Sequence, residues 1–239
     1  EMKQKYLYPV LRGEKTTSLA QSEPDAGSDP GGMRTRAVRQ RDHYVVNGYK
    51  RWIPHANKAD FVQLVAATDP AKGSRGGLSV FIIDMDSPGV CIVGETVHMM
   101  DDVTYEIAFD DVQVPVSNRV GAEGDGMKQA QSFISANRIA QAARGLGVAA
   151  RCLEMITKYA KERVTFGRAL ADRQAVQFAV ADLYTKYQLG QMLTYRTAWK
   201  IDNGTAGRHE TYMAKIFCTV SRACAGLAPP FTKPPHAAT

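Results

Sequence analysis

The stretch SLAQSEPDAGSDPGG, residues 18–32, is the densest group of residues in the sequence that could bind a ligand. Ser, Gly, Pro and Asp disfavour helix and strand, and they leave backbone N–H groups and hydroxyls free to face an anion. A short apolar run precedes the stretch, so we expect a loop at the end of a strand. A plain turn between two strands would use the same residue types, and the pattern leaves both interpretations open.

Histidine and cysteine are too scattered to indicate a metal or catalytic group. There is no CxxC pair, no Cys/His cluster and no Ser-His-Asp arrangement, so we expect no metal site and no disulfide framework. GLGVAA, residues 145–150, matches GxGxxA, but it lies within a helical period and no strand precedes it, which favours close helix packing. The scattered residues are His43, His55, His98, His209, His236, Cys91, Cys152, Cys218 and Cys224.

The first half of the sequence has strand patterns separated by turns. YVVNGYKRWI, residues 44–53, places Asn47 and Gly48 between two aromatic and β-branched runs, which predicts a two-residue hairpin turn. ADFVQLVAAT, GLSVFIIDMD and YEIAFDDVQVP predict further strands. We therefore expect a small antiparallel β-domain, and the loop at 18–32 would be positioned by it.

After residue 126 the apolar residues recur every three or four positions. This period predicts a long helix over 127–162, a second over 171–202 that stops near Gly204, and a third in RHETYMAKIFCTVSRACAG. The prolines of LAPPFTKPPHAAT, residues 227–239, cannot continue that helix. The expected core positions are Ile139, Ala143, Leu146, Ala150, Leu153, Ile156 and Ala160 in the first helix and Ala175, Phe178, Leu183 and Leu193 in the second.

Composition and charge limit the class of protein. The 44% hydrophobic and 23% charged residues are typical of a globular chain, and no apolar run approaches the roughly 20 residues of a membrane-spanning helix. The first residues lack the order of a signal peptide, which favours a fragment of a longer chain. Residues 131–239 contain 15 basic and 6 acidic residues, which suits anionic ligands or a solvated basic face.

Five segments follow one another along the chain across the change from strand to helix period. They are AQSEPDAGSD, YVVNGYKRWI, VGAEGDGM, NRIAQAARGLGVAARCLEMITKYAKERVTFGRALADRQAVQFAVADL and YMAKIF. This ordered set resembles the acyl-CoA dehydrogenase family over about residues 3 to 220. That family has an N-terminal helical domain, a middle β-domain and a C-terminal helical bundle, is usually a homotetramer, and holds FAD between the β-domain and the bundle.

The resemblance implies an α+β fold, in which a small antiparallel β-barrel or sandwich precedes a long-helix domain of the four-helix-bundle type, truncated at both ends. Residues 1–14 would end the N-terminal helical domain, and 15–126 would form the middle β-domain that cradles flavin and acyl-CoA. Residues 127–226 would form part of the helical bundle, and 227–239 an irregular tail.

The resemblance also implies a set of FAD-binding residues. The loop from Leu19 to Ser28 would lie under the flavin, with Ser22 at its pyrimidine edge, and Trp52 would stand beside the isoalloxazine ring. Pro54 takes the place of a family hydroxyl near flavin N5, so that contact is lost or made by other atoms. Residues 163–167 and 172–174 would reach a neighbouring subunit's FAD. The implied residues are Leu19, Gln21, Ser22, Gly27, Ser28, Trp52, Ile53, Pro54, Arg163, Thr165, Phe166 and Gln174.

For the substrate, the resemblance implies that Ser28, Ser135, Asn137 and Arg138 line the acyl-CoA site. A carboxylate removes the α-proton in this family. Most members carry it near the end of the bundle, and a minority carry it directly before the residue that matches Arg138. That position is Asn137, and an amide cannot accept the proton, so the sequence assigns no catalytic residue.

The implied activity is FAD-dependent conversion of an acyl-CoA to a trans-2-enoyl-CoA, as in fatty-acid β-oxidation, with electrons passed to electron-transferring flavoprotein. Two alternatives remain: a non-catalytic relative whose basic helices meet nucleic acid or a protein, and a flavin oxidase or monooxygenase of the same superfamily. Basic residues of the first long helix are interleaved with its core positions, so a nucleic-acid partner is poorly supported. The cysteine usage fits a reducing compartment, the cytoplasm or a eukaryotic mitochondrial matrix.

Overall fold

The computed structural model describes residues 1–205 and 207–225, and the predicted tail at 227–239 lies outside them. The chain forms two compact units, Glu1–Gln131 and a second that begins at Ser132. The first contains all the strands of a large sheet, and the second consists mainly of long helices. The predicted α+β fold, a β-domain followed by a helical domain, is confirmed.

The β unit begins with a π-helical turn at Lys3–Leu7 and the short helix α1 at Tyr8–Leu11, and then forms one eight-stranded sheet. The strand order is β6-β7-β3-β2-β4-β5-β8, and β1 pairs with β4 off this path. The sheet is mixed and not purely antiparallel as expected, because β1 and β2 pair with β4 in parallel while the other pairings are antiparallel. The strands are β1 Thr17–Ala20, β2 Arg36–Arg39, β3 His43–Pro54, β4 Phe61–Ala67, β5 Leu78–Asp84, β6 Val90–Val97, β7 Val103–Pro115 and β8 Arg119–Val120.

The core of the β unit comes from its central strands, β3, β4, β5 and β7. Tyr44, Leu64, Phe81 and Ile107 are fully buried, and the rings of Tyr44 and Phe81 meet edge to face at 4.8 Å. β4 and β5 are buried along nearly their whole length, so they read as continuous apolar runs. The β unit therefore has its own well-filled interior.

The predicted hairpin at Asn47–Gly48 is wrong, because β3 runs straight through these residues. The register with β7 shifts between Val46 and Gly48, and the Asn47 side chain exchanges two 2.9 Å hydrogen bonds with Asp111. A Cβ at Gly48 would lie 2.4 Å from the Thr35 hydroxyl oxygen, so glycine serves close packing against Thr35. The Asn-Gly pair lies opposite a bulge on β7, where two residues, Asp110 and Asp111, face Asn47.

The helical unit follows the predicted order of three helices. α2 spans Gly126–Glu162 and begins in the β unit, α3 spans Gln174–Asp202, and α4 spans Arg208–Ala225. Gly204 has φ +66°, the left-handed conformation that ends helices, as its position predicts. Between α2 and α3 lies a small hairpin of β9, Val164–Thr165, and β10, Arg168–Ala169. No described helix combines the length and the hydropathy needed to cross a bilayer.

Burial along the helices corrects part of the predicted core. Ala142, not Ala143, is buried on α2, and Ala175 and Phe178 of α3 are exposed. The GLGVAA segment lies inside α2, where a Cβ at Gly145 would come within 2.8 Å of the Cys218 carbonyl on α4. Close helix packing therefore explains this glycine.

Candidate functional site

The loop predicted as a ligand cradle leaves β1 at Ala20 and is fastened to neighbouring backbone. The N–H and carbonyl of Glu23 exchange hydrogen bonds with those of Ala26 at 3.0 and 3.3 Å. The carbonyl of Ser22 accepts a 2.8 Å hydrogen bond from the N–H of Arg51 on β3. These bonds close a tight turn and tie the loop to the sheet.

The outer side of this loop offers hydrogen-bond donors. Among the described residues, the N–H groups of Gly27 and Ser28 and the hydroxyl of Ser22 find no protein acceptor. Gly27 and Ser28 are exposed, and a Cβ added at Gly27 would meet nothing within 4 Å. Free N–H groups and hydroxyls beside open space suit an anionic or strongly polar ligand.

Beneath the loop lies a buried ion pair between Lys50 of β3 and Glu23. Lys50 Nζ donates to Glu23 Oε1 at 2.8 Å and to the Gln21 carbonyl at 2.9 Å. The Glu23 carboxylate also accepts from the N–H groups of Arg34, at 2.6 Å, and Thr35, at 3.0 Å. The side chains are 0% and 4% exposed, so the two charges compensate each other inside the protein.

The pKa values of the pair reflect this burial. Burial lowers the pKa of Lys50 from 10.5 to about 8, although the Glu23 carboxylate favours the charged ammonium. Burial pushes the pKa of Glu23 upward, but the Lys50 charge and the surrounding hydrogen bonds hold it below its ordinary value. Both side chains are therefore charged at neutral pH.

Sequence reasoning missed this pair. Side chains two residues apart on a strand point to the same face. Lys50 lies an even number of residues from Tyr44 and Val46, which are both buried on β3, so the alternation places the Lys50 charge on the core face. A buried charge requires a partner. Glu23, the acidic residue in the loop, is 27 residues away in the sequence. The alternation of side chains along β3 does not predict which distant residue lies beside Lys50.

Trp52 lies where β3 breaks its register with β7, between Lys50 and Ile53. Its φ is +62°, a left-handed conformation that is unfavourable for a bulky residue and that turns its side chain out of the strand alternation. The indole is 44% exposed, with the Arg51 guanidinium 4.3 Å from its ring centre and the His98 ring at 5.8 Å. Strained residues of this kind cluster at functional sites.

The neighbours of Trp52 and of the loop have different surroundings. The side chain of Ile53 is buried in the core, so only its backbone can meet a ligand. The carbonyl of Pro54 accepts a 2.6 Å hydrogen bond from the Ser18 hydroxyl, and Pro54 has no N–H to donate. Leu19 is half-buried against the core, and the carbonyl of Gln21 is taken by Lys50.

In the helical unit, the predicted segment 163–174 is the β9–β10 hairpin and the start of α3. Phe166 and Gly167 have φ values of +52° and +71°, and Phe166 is 97% exposed at the tip. Arg173 Nη2 donates to the Thr165 carbonyl at 2.7 Å and to its hydroxyl at 2.9 Å, which fixes the hairpin against α3. Arg163 and Gln174 are exposed, so the segment presents polar and aromatic groups to its surroundings.

The predicted acyl-CoA residues of the helical unit lie near the start of α2. Ser135 and Arg138 are half-buried one turn apart, and Asn137 is exposed. The Arg138 guanidinium stacks 4.4 Å from the ring centre of Tyr212 on α4. Its Nη1 is buried and has no hydrogen-bond partner among the described residues, so one strong donor is left over.

The structure thus gathers the predicted residues into three groups. Leu19, Gln21, Ser22, Gly27, Ser28 and Trp52, Ile53, Pro54 belong to the β unit, where Arg51 and Lys50 link loop and strand. Residues 163–174 and residues 135–138 form two further groups in the helical unit.

Comparison with known proteins identifies the family of this chain. Residues 18–112 match the acyl-CoA dehydrogenase middle domain, and residues 124–228 match the acyl-CoA dehydrogenase C-terminal domain. The chain belongs to the acyl-CoA dehydrogenase family, as its sequence motifs predict.

Three known proteins illustrate the relationship. The chain is 40% identical to the caffeyl-CoA reductase-Etf complex subunit CarC of Acetobacterium woodii, over 92% of this chain and 58% of that protein. It is 39% identical to cyclohex-1-ene-1-carbonyl-CoA dehydrogenase of Geobacter metallireducens, over 85% and 54%. The structure of the FAD complex of PigA superimposes with a TM-score of 0.90 at 31% identity, covering 95% of this chain and 59% of that one. The chain thus spans less than two thirds of these relatives.

Proposed function

We propose that this chain is part of a flavoenzyme that uses FAD to oxidise an acyl-CoA to its trans-2-enoyl-CoA. The observation that carries the proposal is the β-unit loop, whose free donors lie on a segment fastened to the strand that bears the strained, half-exposed Trp52. A family relative named as a cyclohexenecarbonyl-CoA dehydrogenase and a related structure titled as an FAD complex support the substrate class and the cofactor.

The residues of the β unit fit FAD. The N–H groups of Gly27 and Ser28 suit pyrophosphate oxygens, and the Ser22 hydroxyl suits the polar edge of a flavin. The indole of Trp52 suits contact with a flat ring system. When bound, FAD accepts the hydride that leaves the β-carbon of the substrate.

The roles proposed for the helical unit follow its exposed groups. Arg163, Thr165, Phe166 and Gln174 bind the phosphates and adenine of the FAD held by a neighbouring copy. Arg163, Phe166 and Gln174 are exposed on the hairpin and the start of α3, and Thr165 is held in place by Arg173. Ser28, Ser135, Asn137 and Arg138 contact the acyl-CoA, and the half-buried Arg138 is the cationic residue of this set. We assign no catalytic base to a described residue, because Asn137 cannot accept a proton.

An anaerobic visible spectrum of the purified protein with FAD, before and after an acyl-CoA is added, tests the proposal. We expect a perturbed spectrum of bound flavin. Bleaching when the thioester is added would show that a carboxylate of the purified protein acts as the base. Arg138→Leu should weaken bleaching more than Arg144→Leu, a control on an exposed position of the same helix. Flavin that does not bind contradicts the proposal, and flavin that binds but stays oxidised with every acyl-CoA tried would show that the purified protein lacks the base.

A second candidate is the reverse reaction, reduction of a 2-enoyl thioester. It is favoured by the 40% identity to a protein named as a caffeyl-CoA reductase subunit. The same anaerobic cell distinguishes the two, since chemically reduced bound flavin would be reoxidised by an added enoyl-CoA. If an enoyl-CoA reoxidises the reduced flavin and no acyl-CoA bleaches the oxidised flavin, the protein catalyses reduction of the enoyl thioester.

Two partners belong to the proposal. Electron-transferring flavoprotein is proposed as the redox partner, because the Acetobacterium relative is named as part of an Etf complex. Self-association into a homotetramer is proposed, because Phe166 is fully presented and fixed at the hairpin tip. Sedimentation tests the second point: Phe166→Ala should weaken association, whereas Tyr8→Ala, which changes an exposed aromatic residue of the other unit, should not.

A further inference from the structure

The buried pair of Lys50 and Glu23 calls for an explanation beyond folding. Removing two charges from water is unfavourable, and a pair of apolar residues of similar volume often stabilises a fold equally well. The two side chains contact no other charged side chain among the described residues of the β unit, so they form a closed pair. Their partners show what the charges do.

All of these partners belong to the loop or to the backbone beside it. Lys50 holds the Gln21 carbonyl, and Glu23 holds the N–H groups of Arg34 and Thr35. The next residue of β3, Arg51, holds the Ser22 carbonyl. Three successive loop residues, 21 to 23, are therefore anchored from the inner side by groups on β3 and residues 34–35.

This anchoring leaves the outer side of the loop free. With the carbonyls of Gln21 and Ser22 occupied, the Ser22 hydroxyl and the N–H groups of Gly27 and Ser28 remain available on the loop. A loop that is already ordered loses less entropy when it binds its ligand. Hydrogen bonds from a charged donor are also stronger than those between neutral groups.

We infer that Lys50 and Glu23 are positioning residues that set the FAD-binding loop, residues 21–28, without touching the cofactor. The inference rests on the proposed function, because that function makes this loop the flavin site. It predicts that a neutral replacement keeps the fold of the β unit and loosens the loop.

The test is the double variant Lys50→Met with Glu23→Gln, which removes both charges together and leaves neither one buried alone. Hydrogen exchange without FAD follows the amides of Glu23 and Ala26 in the loop and of Arg34 and Thr35 beside it, and the amides of β4 and β5 report on the sheet. A matched control, Lys200→Met with Glu210→Gln, removes the ion pair between α3 and α4.

The inference predicts faster exchange in the loop, unchanged exchange in β4 and β5, and FAD affinity about tenfold weaker, the equivalent of one hydrogen bond from a charged donor. The control should alter neither the loop nor the affinity. Unchanged loop exchange, faster exchange throughout the sheet, or a loose loop with undiminished affinity would each overturn the inference. If the wild-type protein binds no FAD, the proposed function fails, while the exchange data still show whether the pair orders the loop.

Discussion

The two units of this chain differ in which of their large apolar side chains are buried and which are exposed. In the β unit, large side chains such as Tyr44, Phe81 and Leu64 are fully buried. In the helical unit, the main buried cluster consists of Ala142, Leu146, Ala214 and Cys218. Large side chains of α3 stay exposed instead, namely Phe178 at 65%, Leu189 at 57%, Met192 at 66% and Trp199 at 64%.

The difference indicates where each unit obtains its stability. The β unit buries the large side chains of its central strands within itself, although β6 keeps Ile92, Val93 and Val97 exposed, so we expect its core to form on internal contacts. The helical unit has exposed apolar faces and a groove of about 910 Å³ lined by Leu153, Val176 and Tyr184, among others. Apolar surface of this kind is usually covered by further polypeptide, which agrees with the proposed self-association.

Each unit has one tryptophan, Trp52 in the β unit and Trp199 in the helical unit, which allows the comparison to be tested unit by unit. In a Trp199→Phe background, Phe81→Ala should lower the free energy of unfolding of the β unit by about 3–5 kcal/mol, because it empties a buried site. In a Trp52→Phe background, Phe178→Ala should change that of the dilute, monomeric helical unit by less than about 0.5 kcal/mol. Denaturant titrations give both values, and equal losses would contradict the contrast.

Two glycines extend the comparison, because Gly48 is closely packed in the β unit and Gly147 of α2 has nothing within 4 Å of an added Cβ. Gly48→Ala should destabilise the β unit by about 1–3 kcal/mol, since the new methyl group would collide with Thr35. Gly147→Ala should stabilise the helical unit by about 0.4–1 kcal/mol, since it adds a methyl group on α2 with nothing within 4 Å. The same two fluorescence assays measure these shifts. A stable Gly48→Ala protein would argue against the close contact of β3 with Thr35.

A smaller effect concerns acid stability of the helical unit. A hydrogen bond from Lys200 lowers the pKa of Glu210 from 4.5 to about 2, and the N–H of Gly207 also donates to this carboxylate. Between these two pH values the unfolded chain therefore binds more protons than the folded chain. The ionised Glu210 stabilises the folded state fully above pH 4.5, and this stabilisation is lost as the pH falls toward 2.

Trp199 emission recorded against denaturant from pH 6 to 2 would measure this loss of stability. In Glu210→Gln, the part of the pH dependence of the unfolding free energy that comes from the Glu210 carboxylate should be absent. An identical pH profile in the variant would show that the carboxylate does not stabilise the connection between α3 and α4.

The sequence predicted the helices better than the strands, for physical reasons. A long amphipathic period defines α2 and α3 locally, whereas Asn47–Gly48 resembles a turn until its neighbour Thr35 is known. The edge strand β6 was missed, because it is exposed on both faces and shows no alternation. Phe178 has the expected helical spacing, yet its side chain is exposed. Helical spacing shows which residues share a face, but it does not show whether another element packs against that face.

For the candidate site, residue types and family motifs predicted ligand binding at the loop 18–32 and at Trp52, and this stays a prediction. They could not identify how the loop is held. The contacts of Lys50 with Gln21 and Glu23 join residues 29 and 27 positions apart, which only the folded sheet brings together. The left-handed backbone of Trp52 likewise depends on the register shift against β7.

The central claim, that the β-unit loop and Trp52 bind FAD, is tested most directly by Trp52 emission. In the Trp199→Phe variant, Trp52 is the remaining tryptophan, and flavin against its ring should quench it. The account predicts saturable quenching during a titration with FAD, with the same midpoint as the change in the visible flavin spectrum. Emission that stays constant while the flavin spectrum reports binding, or the absence of any saturable change, would contradict the claim.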